Sequence, residues 1–102
     1  MTLTEIKSVL ESTGYPVAYR YHKIEPSMPY ICYMESYSNN FAADNTVYLP
    51  VKHIQIELYT VNKSPDAEET VEMVLNGLFF WEKTETYIDS EKCYQVIYEI
   101  EV

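Results

Sequence analysis

The residues of this chain that could do chemistry are its two histidines, two cysteines and sixteen acidic side chains. Imidazole, thiolate and carboxylate groups are the usual ligands of zinc, so a cluster of them could bind a metal. No HxH, HExxH or CxxC spacing joins any of these residues, which favours structural roles. We predict no metal, no cofactor and two reduced, buried thiols. The residues concerned are His22, His53, Cys32 and Cys93.

A cysteine nucleophile is the second chemistry that these residues could provide. It would require Cys93 and His53 to meet in the tertiary structure, because no catalytic signature surrounds either residue. No glycine lies nearby to form a turn whose backbone N–H groups would bind an oxyanion. The chain has only two glycines, so a glycine-rich phosphate-binding loop is also excluded. We therefore predict a protein without enzymatic activity.

The acidic residues are concentrated towards the C-terminus. Residues 66–102 contain ten acids and two lysines, a net charge of −8, whereas residues 1–65 contain six acids and five bases, a net charge of −1. Acid–base catalysis by paired carboxyls needs two different environments, which a solvated strand does not provide. The net charge of −9 argues against sequence-specific binding to nucleic acid. We interpret four acids as a charged surface or the lining of a channel: Glu82, Glu85, Glu99 and Glu101.

Two helices are predicted from their start signals and their apolar periodicity. Thr2 and Glu5 have the spacing of a capping box, which begins a helix over residues 3–13. Ser64, Pro65 and Asp66 are typical of a second helix start, with Gly77 as its stop. The apolar stripe of that helix consists of Ala67, Val71, Val74, Leu75 and Leu78.

Five strands are predicted from alternating apolar residues and turn signals. They cover residues 17–22, 30–37, 47–60, 79–88 and 92–102, with Pro50 as a bend in the third strand. Helices with one apolar stripe each are best buried on one face of a largely antiparallel sheet. The sequence thus predicts a single α+β domain over residues 1–102, a two-layer sandwich in the order α-β-β-β-α-β-β. Its other sheet face remains available to partners.

Two apolar segments have more than one interpretation. Asn39, Asn40, Asp44 and Asn45 are ordinary turn formers, but the Phe41-Ala42-Ala43 insert is more apolar than a surface turn requires. This loop either packs on its own domain or contacts another subunit, and the candidate contact residues are Asn39, Asn40, Phe41 and Asp44. The second segment, Phe79-Phe80-Trp81, is either an apolar anchor for another subunit or part of the core, and we expect at least two of its three side chains in the core.

Five segments in order carry a resemblance to a known family. They are Tyr15-Pro16-Val17-Ala18-Tyr19, Pro29-Tyr30-Ile31, SNNFAAD at residues 38–44, IQIELYT at residues 54–60 and YQVIYE at residues 94–99. As an ordered set the chain resembles small phage and prophage proteins of Gram-positive bacteria that are encoded among head–tail morphogenesis genes. More distantly it is similar to the tail terminators, or tail-completion proteins, of long-tailed phages. None of these segments is a catalytic motif.

The resemblance implies a structural role at the head–tail junction. Tail terminators are small α+β subunits that form rings, commonly hexamers, so the expected partners are further copies of this chain, the tail tube protein and the head connector. DNA would at most pass through a channel. Two alternatives stay open, namely another head–tail connector or minor structural protein, and a non-enzymatic phage protein that binds a host factor.

The start of the chain bears on where the protein is made. It lacks the basic and apolar segments of a signal peptide, and no apolar run approaches the ~18 residues of a membrane span. We therefore expect the host cytoplasm during assembly, the virion if the phage is functional, and no membrane partner.

Overall fold

The computed structural model describes residues 1–38 and 51–102 with their side chains, and residues 41–43 and 46–49 through their backbone. The two helices are α1, Leu3–Glu11, and α2, Pro65–Leu75. The strands are β1, Val17–Tyr19; β2, Tyr30–Ser38; β3, Phe41–Ala43; β4, Thr46–Leu49; β5, Lys52–Thr60; β6, Trp81–Ile88; and β7, Cys93–Glu101. Within this described part of the chain, neither helix is long and apolar enough to cross a membrane.

Both helices begin at the predicted caps. The backbone N–H of Glu5 donates to Thr2 Oγ1 at 3.1 Å, and the N–H of Thr2 donates to Glu5 Oε1 at 3.0 Å. These two bonds complete the capping box and lower the pKa of the Glu5 carboxyl. At α2, the N–H of Ala67 donates to Ser64 Oγ at 3.2 Å, with Pro65 in the first turn. Both helix starts confirm the sequence prediction.

A mixed five-stranded sheet forms the second layer, in the order β1-β2-β5-β7-β6. The short edge strand β1 runs parallel to β2, and every other neighbouring pair is antiparallel. The α+β fold, the mostly antiparallel sheet and the order of its elements are therefore as predicted. The edge strands are β1 and β6, at opposite sides of the sheet.

The core lies between the helices and one face of the sheet, which we call the core face. Cross-strand neighbours on β2, β5 and β7 carry its apolar side chains, for example Ile31, Leu58 and Val96, which occupy one row. Both helices pack on this face through buried residues, among them Leu10 of α1 and Val71 of α2. Alternate strand residues point to the other, open face because side chains alternate along a strand.

The segment between β2 and β5 differs from the prediction. Residues 47–60 were expected to form one strand, but the part up to Leu49 is β4, which pairs with β3 in a separate two-stranded sheet. β3 lies inside the predicted loop 38–45. Pro50 itself lies outside the described residues. The physical reason for the division is a change of partner: β5 pairs with β2 and β7, whereas β4 pairs with β3.

Leu78 corrects the predicted stripe of α2. The helix ends at Leu75, and Gly77 follows with a φ of +82°, a left-handed conformation that favours glycine. Leu78 therefore lies beyond the end of the helix and does not continue its apolar stripe. Its side chain is 53% exposed. The other members of the stripe face the core as predicted.

A network of charged side chains joins α2 to the edge strand β6. Glu68 is only 4% exposed, and its carboxylate binds Lys83 Nζ at 2.6 Å and Lys63 Nζ at 2.7 Å. Lys83 also binds Glu72 at 2.8 Å, and the Tyr98 hydroxyl donates to the same Glu72 oxygen at 2.7 Å. Burial favours the neutral form of Glu68, but the two lysines outweigh that effect and hold its pKa below the ordinary value.

Replacing Glu68 by Gln should therefore destabilise the protein by about 2 kcal/mol at neutral pH, because two ammonium groups lose a buried partner. A carboxyl whose pKa is lowered on folding stabilises the protein above its unfolded-state pKa, and this stabilisation is lost as the pH falls through the folded-state pKa. The difference between wild type and Glu68→Gln should thus shrink below about pH 4.

Denaturant unfolding at neutral and acidic pH measures this difference in the free energy of unfolding. Glu69→Gln, at the exposed neighbouring position of α2, is the matched control and should change little. Equal stability losses in the two variants would contradict a structural role for the network.

Candidate functional site

The open face of the sheet has a polar centre at Glu57. Its carboxylate accepts hydrogen bonds from Gln55 Nε2 at 3.0 Å, Gln95 Nε2 at 3.1 Å and the Tyr59 hydroxyl at 3.3 Å. Glu57 is only 8% exposed, so these neutral donors replace water around a buried acid. Burial and the Glu57 charge together raise the pKa of Tyr59. This arrangement fixes side chains from β5 and β7 and makes the middle of the open face a rigid polar layer.

One end of the open face contains a depression of about 470 Å³, which we call the acidic groove. It is formed where β5, β7 and β6 lie side by side, so three strands contribute to it. Three of its residues are carboxylates and two are apolar. The lining residues are His53, Phe80, Glu82, Glu99, Ile100 and Glu101.

Strand register brings the polar residues of the acidic groove together. His53 on β5 is opposite Glu101 on β7, and Glu99 on β7 is opposite Glu82 on β6. His53 Nε2 lies 3.7 Å from Glu99 Oε1, and His53 Nδ1 lies 3.9 Å from Glu101 Oε1. The ring of Tyr37 stacks on the imidazole, with 4.3 Å between the centroids and 10° between the planes. The imidazole is thereby held between an aromatic ring and two acids.

Phe80 is the apolar feature of the acidic groove. Its neighbours Phe79 and Trp81 pack against the core, whereas Phe80 is 85% exposed. Trp81 contacts the Tyr98 ring edge-on at 5.5 Å and donates its indole N–H to Asn76 at 2.9 Å. With both flanking residues fixed inward, Phe80 faces solvent beside three carboxylates. At least two of the three aromatic residues lie at the core, as predicted.

The opposite end of the open face is covered by residues 20–29, the connection between β1 and β2. Arg20 has a φ of +68° and turns the chain away from β1. His22 Nε2 hydrogen-bonds to the carbonyl oxygen of Ile31 at 3.0 Å, and the Tyr30 hydroxyl donates to Glu25 at 3.1 Å. These contacts fix the connection at His22 and Glu25.

A smaller depression of about 210 Å³ lies under this connection. The stacked rings of Tyr30 and Tyr59, 5.0 Å apart, form part of its lining together with Cys32. Burial and the charges of Glu57 and Glu25 raise the pKa of Cys32 to about 11, so its thiol is protonated at neutral pH.

The histidines and cysteines are not assembled into a reactive cluster. In the part of the chain with described side chains, no group of three His, Cys, Asp or Glu residues could hold a metal ion. Cys93 lies eight residues along β7 from Glu101, the partner of His53, which is about 27 Å at ~3.4 Å per residue. A Cys93–His53 pair is therefore excluded. Cys93 is fully buried, and burial raises the pKa of its thiol.

The structure divides the four acids that were predicted to form one surface. Glu82, Glu99 and Glu101 meet in the acidic groove. Glu85 does not, because it is three positions from Glu82 on β6 and so has its side chain on the opposite face. There its carboxylate forms an ion pair with Lys63. The grouping of Glu85 with the other three acids is thus corrected by strand alternation.

The structure describes only part of the predicted contact loop. Asn39, Asn40 and Asp44 lie outside the described residues, whereas Phe41 is the first residue of β3 and pairs with Leu49 of β4.

Sequence reasoning did not identify His53 and Phe80 as parts of a shared groove. The sequence did contain one signal. His53, Glu99 and Glu101 each lie next to an apolar residue of the core face, so alternation along the strand places all three on the open face. The sequence did not show that β5 pairs with β7. It therefore could not predict that these residues lie close together.

Comparison with known proteins adds no assignment to this geometry. No protein-family model matches the chain, and no curated protein matches it significantly.

Both thiols should be unreactive in the folded protein. At about pH 8 a thiol with the pKa of Cys32 is ~0.1% thiolate, and Cys93 is in addition inaccessible. We expect reaction with a disulfide reagent to be at least about 100-fold slower than for a free cysteine. Absorbance of the released thiolate measures the rate, and the denatured protein, which should release two equivalents rapidly, is the control. One fast equivalent from the folded protein would contradict this placement.

Proposed function

We propose that this protein is a structural subunit of a phage or prophage head–tail junction. In this proposal it forms a tail-terminator-like homo-oligomeric ring, such as a hexamer, that caps the tail tube and joins it to the head. The ordered resemblance to head–tail morphogenesis proteins supports the role. The single structural observation that supports it most directly is the β3–β4 hairpin.

The hairpin is an unusual addition to the sheet. Ser38 at the end of β2 lies directly opposite Lys52 at the start of β5, so a short turn would suffice to connect these strands. The chain instead makes a second two-stranded sheet between them. Two-stranded hairpins are marginally stable in water without a further surface to pack on. A neighbouring subunit or the tail tube would provide such a surface.

The charge of the protein fits a passage for DNA better than a binding site for it. A net charge of −9 opposes adhesion of phosphate groups to the ring. The ring would therefore let DNA pass without holding it, which agrees with a joint between head and tail.

Replacing residues 39–51 by Asn-Gly tests the hairpin as the assembly element. Asn-Gly forms the two-residue turn that suits an antiparallel hairpin, so the five-stranded sheet should keep its register and fold. We expect the wild type to form rings, seen by electron microscopy and light scattering, and the shortened chain to remain a folded monomer. A shortened chain that still forms rings would show that the hairpin is dispensable. A wild type that stays monomeric and captures a defined host protein would instead favour the host-factor alternative.

Phe41→Asp is a finer test of the same element. We expect at least a tenfold weaker assembly, because a charge would be introduced at the start of β3 where the proposed contact forms. Circular dichroism should show an unchanged fold. Val61→Asp, at an exposed apolar position after β5, is the matched control and should assemble normally. If Phe41→Asp assembles as well as wild type, the segment around Phe41 is an ordinary turn and not a subunit contact.

A further inference from the structure

We infer that the acidic groove of one subunit receives residues 20–24 of the next copy of the chain. We call these five residues the basic loop. The inference rests on the proposed ring and adds to it a second contact, separate from the hairpin, between two identified surfaces.

The basic loop combines positive charge with exposed apolar side chains. Ile24 is 89% exposed and Tyr21 is 64% exposed, although both are large enough to contribute to a core. Arg20 and Lys23 alternate with them along the chain, and no ion pair to either base is found among the described residues. An exposed apolar pair flanked by unpaired bases suits a partner with both an apolar contact and negative charge.

The acidic groove has the complementary composition. Phe80 provides the exposed apolar surface, and Glu82, Glu99 and Glu101 provide the negative charge around it. Within the described part of the chain no lysine or arginine lines the groove; the only cationic candidate there is His53, whose two nitrogens already lie near Glu99 and Glu101. A basic group from outside would therefore meet three acids without competition from a resident lysine or arginine.

The two lysines that face the helix layer at β6 do not serve this purpose. Lys63 and Lys83 are bound to Glu68 on the core-face side of β6, away from the groove. In the inferred contact the charge that neutralises the groove comes from a second molecule. The basic loop is the segment of this chain that presents two bases together with exposed apolar residues.

The positions of the two surfaces limit the ways in which two copies can make the contact. His53 near the start of β5 lies in the groove, whereas Tyr59 near its end lies under the basic loop, about 20 Å away at ~3.4 Å per residue. Loop and groove thus occupy opposite ends of the open face. Repeated head to tail, a contact between these two different surfaces is heterologous and generates a ring or a filament, whereas reciprocal exchange between two copies would close a two-fold dimer.

Charge reversal in trans tests the contact. The first variant, Arg20→Glu with Lys23→Glu, has an acidic loop and an acidic groove. The second, Glu99→Lys with Glu101→Lys, has a basic loop and a basic groove. Each alone should assemble about 10- to 100-fold more weakly than wild type, because like charges meet at every contact. An equimolar mixture should regain assembly, because each loop then meets a groove of opposite charge.

Sedimentation velocity of the variants, their mixture and the wild type gives the readout, with circular dichroism to confirm folding. The matched controls are Lys92→Glu and Glu69→Lys, which reverse exposed charges outside both surfaces and should assemble as wild type. Phe80→Ser should weaken assembly because it removes the apolar contact. Mixing it with either charge-reversal variant should not regain assembly.

The outcomes separate this inference from the proposed function. If wild type forms rings and both reversal variants do so equally well, the inference is overturned and the ring proposal stands. If wild type forms no rings but the two reversal variants bind each other, the contact is supported and the ring proposal fails. If no combination associates, both are wrong.

Discussion

The buried carboxylate of Glu68, held between Lys63 and Lys83, is the interaction that ties the edge strand β6 to the helix layer. β6 is an edge strand with β7 as its only neighbour in the five-stranded sheet, and most of its residues are exposed, so burial alone contributes little to holding it. Lys83 on β6 binds Glu68 of α2 directly, and Lys63, in the turn before α2, links Glu68 to Glu85 of β6. Burying an unpaired acid at this depth would destabilise the fold, but the two lysines offset that cost and connect the helix to the strand. Together with the pairing of β6 to β7 and the packing of Phe79 and Trp81, these ion pairs hold the segment that carries Phe80 and Glu82.

The two faces of the sheet are organised by different physical rules. On the core face, apolar rows pack under two helices, and shape is the main constraint. On the open face the buried acid Glu57 is satisfied by two glutamines and a tyrosine, so hydrogen bonding is the constraint. A shift of register by one residue would exchange the two sets and bury the acids under the helices. The same alternation that makes the core thus fixes which acids reach the groove.

Local signals were sufficient for the helix starts, the core residues of β5 and the order of the elements, because caps and alternation act within a few residues. They were insufficient wherever the answer depended on a partner strand. Val47 and Ile54 belong to one β-favouring run, yet one pairs with β3 and the other with β2. Glu85 is a different case, because alternation along β6 alone places it on the face opposite to Glu82, where Lys63 binds it. Leu78 was misplaced because a helical period was continued beyond a glycine stop.

The uneven charge of the chain has a different meaning in an assembly than in an isolated domain. Copies with a net charge of −9 repel one another at long range, and salt screens that repulsion beyond about 10 Å. In the proposed assembly, close approach favours orientations in which Arg20 and Lys23 of one copy face the acidic groove of another. In that assembly the repulsion would suppress groove-to-groove contacts, while the attraction would select the contact between loop and groove. A chain with charge spread evenly over its surface would lack this selection, so the uneven distribution of the acids is compatible with a directional contact.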